Sequence, residues 1–323
     1  MDFITFFDEG QPDISLYGGK GANLIKLYHM GINVPRGFII TTRAFTSFLE
    51  NSKNFQRIRE LVSQELTPAT ILNISNEIND LILTSTLPSN ISKELRRSLE
   101  KFHKSIGTKV LKAVRSSANI EDSENFSFAG QAESYLCKDT FEEIISSIKK
   151  CWASLFSPGA LLYFLQIKKG NSDLELRDVH MAVIIQEMVD SDISGVSFTI
   201  NVLNNNSNQI LINSSWGLGE AIANNKTIPD TLIIDKKSFK IVNKILGKKE
   251  KMIKKDPGNS TTTIQDVPLE LQGQWSLNKA QLEKITRICI KIEDKMGYPQ
   301  DIEWAIEKDR FYILQSRPIT TFK

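Results

Sequence analysis

The spacing of apolar positions changes part-way along the chain, and that change organises everything else. Residues 23–30 carry helical spacing, with Gly18, Gly19 and Gly21 at the start and Gly31 as a stop. Residues 34–40 predict a turn and a short buried strand, after which Thr41 or Thr42 caps a helix to about Glu50. Residues 53–106 keep helical spacing, broken near Pro68 and Pro88, and read as a helical insert. An apolar strand over 110–114 then runs into Arg115-Ser116-Ser117 and a loop of small and polar residues reaching Gln131. Helices over 139–155 and 158–169 and a buried strand over 181–185 complete this half.

Beyond Asp190 the period shortens. Strand-like runs at 193–200, 209–213, 231–234 and 240–245 alternate with turns rich in Asn, Gly and Lys. A helix from about 277 to 296 precedes two strands, 302–307 and 311–315. The Lys308-Asp309-Arg310 turn between them can set residues near 303 and 315 side by side. The pattern predicts an α+β protein of two lobes, 1–189 and 190–323, with a hinge between Met188 and Asp190.

Composition sharpens this only a little. The chain has 323 residues, 41% hydrophobic and 24% charged, enough for two separate cores. A net charge of +2 argues against a nucleic-acid or membrane surface. The basic run Lys248, Lys249, Lys251, Lys254 and Lys255 is read as a solvated turn between strands. Cys137, Cys151 and Cys289 form no CxxC pair and fit a reducing compartment. The N-terminus lacks the basic and apolar segments of a signal peptide, and no apolar run approaches bilayer length, so a cytoplasmic protein is expected.

Four segments are candidates for chemistry. Gly18-Gly19-Lys20-Gly21 at a helix start offers backbone amides and a cation to a phosphate, though it lacks Walker A spacing and an ordinary glycine turn reads the same. Arg115, placed at the mouth of an apolar strand, either faces a phosphate or pairs with Glu121 or Asp122. Ser127-Phe128-Ala129-Gly130-Gln131 is a loop that either closes over polyphosphate or is only a loop. Trp216-Gly217-Leu218-Gly219-Glu220 either presents amides to a ligand or makes a tight junction.

The C-terminal segments Asp301-Ile302-Glu303-Trp304 and Leu314-Gln315-Ser316-Arg317-Pro318 carry more weight. Strand alternation sets Asp301 and Glu303 on one face, where Gln315 and Arg317 join them across the hairpin. Hard oxygen donors beside a guanidinium suit a magnesium–polyphosphate complex; the alternative is a solvated edge hairpin. His29, His103 and His180 stand in no motif for a zinc cluster or phosphohistidine, and no GxSxG elbow is present.

Taken in order, these segments resemble the N-terminal ATP-binding domain of the phosphoenolpyruvate synthase and pyruvate phosphate dikinase family, also found in rifampicin phosphotransferase. The resemblance runs from Gly18-Gly19-Lys20-Gly21-Ala22-Asn23-Leu24 through Val114-Arg115-Ser116-Ser117, Phe128-Ala129-Gly130-Gln131 and Gln186-Glu187-Met188-Val189. It continues through Ser194-Gly195-Val196-Ser197-Phe198-Thr199, Trp216 to Glu220 and Pro229-Asp230 to the C-terminal pair of segments.

What it implies is an ATP-grasp-like fold with the nucleotide in the cleft between two lobes, using ATP and Mg2+. Lys20, Arg115 and Arg317 would act on the phosphates, with Gly130 and Gln131 in the loop over them. Glu303 and Gln315 would hold magnesium, supported by Asp301. Gln186, Glu187, Met188 and Val189 would border adenine, with Glu187 and Val189 offering backbone hydrogen bonds. ATP would be cleaved to AMP, a pyrophosphoryl group passing to a histidine on a swivelling domain and a phosphoryl group then to pyruvate or another small molecule. The swivelling domain and the acceptor-substrate domain are expected on a separate chain or in a missing remainder. The competing expectations are a noncatalytic nucleotide-binding module and a stand-alone kinase or ligase.

Overall fold

The computed structural model describes residues 3–107, 110–120, 134–170, 176–256 and 258–319. By its internal contacts the chain forms two units. One comprises Met1–Ile25 with Arg36–Met188, the other Lys26–Pro35 with Val189–Lys323. Both mix helices with antiparallel sheet, an α+β architecture. Among the described residues no helix is long and apolar enough to cross a membrane.

The first unit contains β1 (Ile4–Phe6), α1 (Ile14–His29), β2 (Gly37–Ile40), α2 (Thr42–Glu50), α3 (Phe55–Val62), α4 (Ile71–Thr84) and α5 (Ser89–Ile106), the end of α1 belonging to the second unit. It continues with β3 (Lys112–Ala118), β4 (Ser134–Lys138), α6 (Phe141–Ser154), α7 (Pro158–Gly170) and β5 (Met181–Glu187). Its sheet has the order β1-β2-β5-β3-β4. The strand β5 is central, and six of its seven residues are buried, which explains its unbroken apolar run. Helix α5 buries Ile91, Leu95, Ser98, Leu99 and Phe102, one stripe at helical spacing. Helices α2 and α6 pack on the sheet, and α4 lies against α6 and α7. Thr140 caps α6 through a reciprocal pair with Glu143.

The segment 53–106 holds three helices, α3, α4 and α5, separated at Pro68 and Pro88. Two expectations fail here. Thr41 stands at the N-cap of α2, but its hydroxyl makes no capping bond and is buried without a partner among the described residues. The neighbouring Thr42 hydroxyl instead donates to the Ser15 carbonyl at 2.7 Å, tying α2 to α1. The strand around Val114 does not stop there. β3 pairs with β5 through Arg115, Ser116, Ser117 and Ala118; the small side chains of Ser116, Ser117 and Ala118 fit fully buried sheet positions.

The second unit contains β6 (Ile193–Phe198), β7 (Gln209–Trp216), α8 (Glu220–Ala223), β8 (Asp230–Asp235), β9 (Ile241–Ile245), β10 (Lys251–Lys255), β11 (Thr262–Asp266), α9 (Leu269–Gln272), α10 (Lys279–Met296), β12 (Gln300–Glu307) and β13 (Arg310–Pro318). Its large sheet has the order β13-β12-β6-β7-β8-β9, and β10 pairs with β11 separately. Helix α10 starts at a capping box between Asn278 and Gln281 and lays Leu282, Ile285, Cys289, Ile292 and Met296 toward the interior, packing on β12. Gly195 lets two strands fit closely: a Cβ there would lie 2.2 Å from the Trp304 ring, whose Nε1 donates to Ser197 Oγ at 2.8 Å.

The basic run is not a solvated turn. Lys251–Lys255 is strand β10, and Lys249 is completely buried in an ion pair with Asp230. Asp230 Oδ1 also accepts from Gly247 N, and its Oδ2 from the Ser276 amide and hydroxyl, each at 2.8–2.9 Å. Lys249 Nζ also donates to the Gly247 carbonyl at 3.0 Å, and such further hydrogen bonds are what a buried charged pair needs.

Candidate functional site

In the first unit the candidate cations meet on β3. The glycine segment interrupts α1: Gly18 takes φ 69° and ψ 174°, a conformation open in practice only to glycine. This break docks the turn on the strand. A Cβ on Gly18 would lie 2.1 Å from the Ser117 carbonyl oxygen. Gly21 N donates to Ser117 Oγ at 3.0 Å, and that hydroxyl donates to the Tyr17 carbonyl at 2.8 Å. Lys20 is thereby held over the strand, mostly buried, with Nζ 3.3 Å from the Ser116 carbonyl. Arg115 is the next residue along. It sits mid-strand rather than at a strand mouth, half-buried, with Nε 3.4 Å from Ser134 Oγ. Ser117 was not singled out from sequence, yet it anchors the turn; its only local signal is a small hydroxyl in an apolar strand.

The loop with Gly130 and Gln131, and the proposed partners Glu121 and Asp122, lie outside the described residues. Gln186 is buried on β5 between Gly37 and Ala113. Glu187 N donates to the Arg36 carbonyl at 2.8 Å and Met188 N to the Leu111 carbonyl at 2.9 Å. The Met188 sulfur also accepts from Cys137 N at 3.2 Å. Of this segment's backbone donors, the Val189 amide has no acceptor among the described residues, and Glu187 has only its carbonyl to offer.

In the second unit the hairpin carries two polar rungs. Glu303 pairs in register with Gln315, and Asp301 with Arg317. Two residues along a strand span roughly 7 Å, so the rungs are close neighbours. Asp301 Oδ2 accepts from Arg317 Nε at 2.9 Å and Nη2 at 2.8 Å, fixing the guanidinium. Asp301 thus orients Arg317, a contact the metal-supporting role expected for it did not include. A β-bulge between Glu303 and Trp304 shifts the register, which steps from Gln315 to Ile313 past Leu314. Leu314 packs against Val189, Ala305 and Tyr312. It is an apolar candidate that strand alternation alone cannot find, because the bulge breaks the alternation.

The oxygen donors fit magnesium in a particular way. Glu303 is half-buried and Gln315 buried. Among the described residues there is no cluster of three or more His, Cys, Asp or Glu able to hold a metal. Glu303 and Gln315, opposite one another in register, offer one carboxylate and one amide, oxygen donors of the hard type that magnesium takes together with phosphate oxygens.

Other candidates resolve into structure. In the segment after Trp216, Gly217 N donates to the Asp192 carbonyl and Leu218 N to the Ile253 carbonyl, so those amides serve a junction within the second unit. His180 packs edge-on to Phe45 and lies 3.4 Å from Thr46 Oγ1, and burial lowers its pKa. Burial, with Lys112 nearby, also lowers that of His103.

Comparison with known proteins adds an independent line. The family model described as "Pyruvate phosphate dikinase, AMP/ATP-binding domain" matches residues 14–323. The chain is 35% identical to the phosphoenolpyruvate synthase of Pyrococcus furiosus, over 99% of this chain and 44% of that protein. It is 37% identical to a probable phosphoenolpyruvate synthase of Archaeoglobus fulgidus, over 100% and 42%. It is 34% identical to the rifampicin phosphotransferase of Bacillus subtilis, over 96% and 35%. The chain therefore spans less than half the length of these relatives. Among solved structures, the D-alanyl-alanine synthetase A of Vibrio cholerae aligns with a TM-score of 0.32 at 11% identity, over 92% of this chain and 54% of that one, too low to bear on the fold.

Proposed function

The chain belongs to the family of pyruvate phosphate dikinase AMP/ATP-binding domains, and from that premise we propose that it binds ATP with magnesium as the nucleotide-side component of a dikinase-type phosphotransferase. The observation that carries this reading is the pair of rungs on the β12–β13 hairpin, hard oxygen donors beside an oriented guanidinium. Lys20, held over β3 by the glycine turn, and Arg115 on β3 supply the further cations that a polyphosphate requires. The proposal includes an ATP-grasp-like mode in which lobes 1–189 and 190–323 both contribute to one nucleotide.

Glu303 and Gln315 would hold magnesium, whose chemistry when bound is to neutralise and orient polyphosphate oxygens. Lys20, Arg115 and Arg317 bind the phosphates and offset charge that develops on transfer. Gln186 lies near adenine, and the Glu187 carbonyl and Val189 amide are the backbone acceptor and donor offered to it. Met188 is committed to the first unit and serves as a fixed support. In this scheme ATP yields AMP while the pyrophosphoryl group moves to a histidine nitrogen of a partner domain. Hydrolysis there releases inorganic phosphate, and the remaining phosphoryl group goes to pyruvate or another small acceptor. A cytoplasmic location belongs to the same proposal.

The test is product analysis. The purified chain is incubated with magnesium and ATP, alone and with the histidine-bearing portion of a relative. AMP formation that requires the added portion supports the proposal. ADP or AMP made by the chain alone with a small acceptor would replace it with a stand-alone kinase or ligase. Tight ATP binding without turnover in any combination would make it a noncatalytic module.

A further inference from the structure

We propose that the outer edge of β9 is a docking strand for an acidic, extended peptide segment of a partner protein. The strand ends the six-stranded sheet and, among the described residues, pairs on one side only, with β8. Every residue of β9 is exposed, unlike β8, which buries four of six. Ile241, Val242, Ile245 and Leu246 are each 44–60% exposed, a run of apolar side chains on an open edge. Edge strands normally avoid this, because unpaired backbone beside apolar side chains invites another strand.

The charge around this edge identifies the occupant. Between Asp235 and Glu250 the chain carries six lysines, Lys236, Lys237, Lys240, Lys244, Lys248 and Lys249, and no acidic residue. Lys236 pairs with Glu293 and Lys249 with Asp230. Lys237, Lys240, Lys244 and Lys248 are exposed; Asp235 attracts Lys237 and Lys244 lies over the Trp275 ring, while Lys240 and Lys248 form no ion pair among the described residues. A second copy of the chain, adding β9 to β9, would bring these lysines against their own counterparts. A strand alternating acidic and apolar residues satisfies the backbone edge, the apolar side chains and the lysines together. This inference does not depend on the nucleotide reading.

The experiment uses the full chain and fluorescence anisotropy of a short labelled peptide of alternating valine and glutamate. Binding is expected, weakening as salt rises. A valine–lysine peptide should not bind, and neither should the acidic peptide with a central proline, which keeps the charge but cannot extend a sheet. The Lys240→Glu, Lys244→Glu double variant, altered only at exposed positions, should bind about tenfold more weakly. No binding, equal binding of the proline peptide, or affinity unchanged in the double variant would each overturn the proposal. So would sedimentation showing that the chain dimerises and that Val242→Lys abolishes the dimer, since a second copy would then be the occupant.

Discussion

Two glycines with nearly the same φ offer a direct test of how the turn that carries Lys20 is built. Gly18 has φ 69° and Gly31 φ 68°. At Gly31 a Cβ would meet nothing within 4 Å, so Gly31→Ala carries only the left-handed backbone penalty, about 1 kcal/mol. Gly18 has ψ 174°, where a side chain costs on the order of 1–3 kcal/mol, and its Cβ would overlap the Ser117 carbonyl at 2.1 Å. That contact cannot be relieved by a side-chain rotation, because the obstacle is backbone. The turn must lift from β3, weakening the Gly21–Ser117 and Lys20–Ser116 hydrogen bonds at about 1 kcal/mol each. Gly18→Ala should therefore cost about 3–5 kcal/mol. Urea unfolding of both variants, following the transition of the unit that carries each change, measures the difference. Isothermal titration with Mg–ATP should show weaker binding for Gly18→Ala alone, since Lys20 moves with the turn. Equal destabilisation, or unchanged ATP affinity in Gly18→Ala, would refute the claim that the docked turn places Lys20.

Glu303→Gln should lower magnesium-dependent ATP affinity by at least roughly tenfold without changing the circular dichroism spectrum, because the proposed magnesium site loses its one charged donor, Gln315 being neutral. Arg317→Ala should abolish AMP formation with the histidine-bearing partner while the chain stays folded; retained turnover in the purified variant would remove Arg317 from the mechanism. Asp230→Ala leaves the Lys249 ammonium buried without its partner and should cost about 3–5 kcal/mol in chemical unfolding. His180 has a lowered folded pKa through burial, so its neutral form is the one that fits the fold. Its contribution is present above the ordinary value of 6.5 and is lost as pH falls from there through the folded pKa. The thermal midpoint of the first unit should drop over that window, and His180→Gln should flatten the drop.

Much of the fold was legible locally. Periodicity located α5, α6, α7 and α10 and most strands of the second unit, because burial of one face imposes a repeat that sequence records directly. It also brought Glu303 and Gln315 near one another across the hairpin, but the turn register alone would set Leu314 opposite Glu303, and the bulge decides the Gln315 pairing. Where it failed, the cause was long-range. Lys249 looks like part of a solvated basic run until β8 supplies Asp230. Arg115 looks like a strand terminus until β5 pairs beyond it.

The candidate chemistry divides along the same line. By itself the sequence determined which groups are available: a glycine turn with Lys20, a guanidinium at Arg115, and hard oxygens with Arg317 near the C-terminus. These are local matters of residue type and spacing. Only the tertiary structure decided that Lys20 reaches a strand 96 residues away, that Asp301 orients Arg317, and that a bulge sets Leu314 beside Val189. The physical reason is that hydrogen bonds and packing act across distances of a few ångströms in space, whereas the sequence orders residues only along the chain.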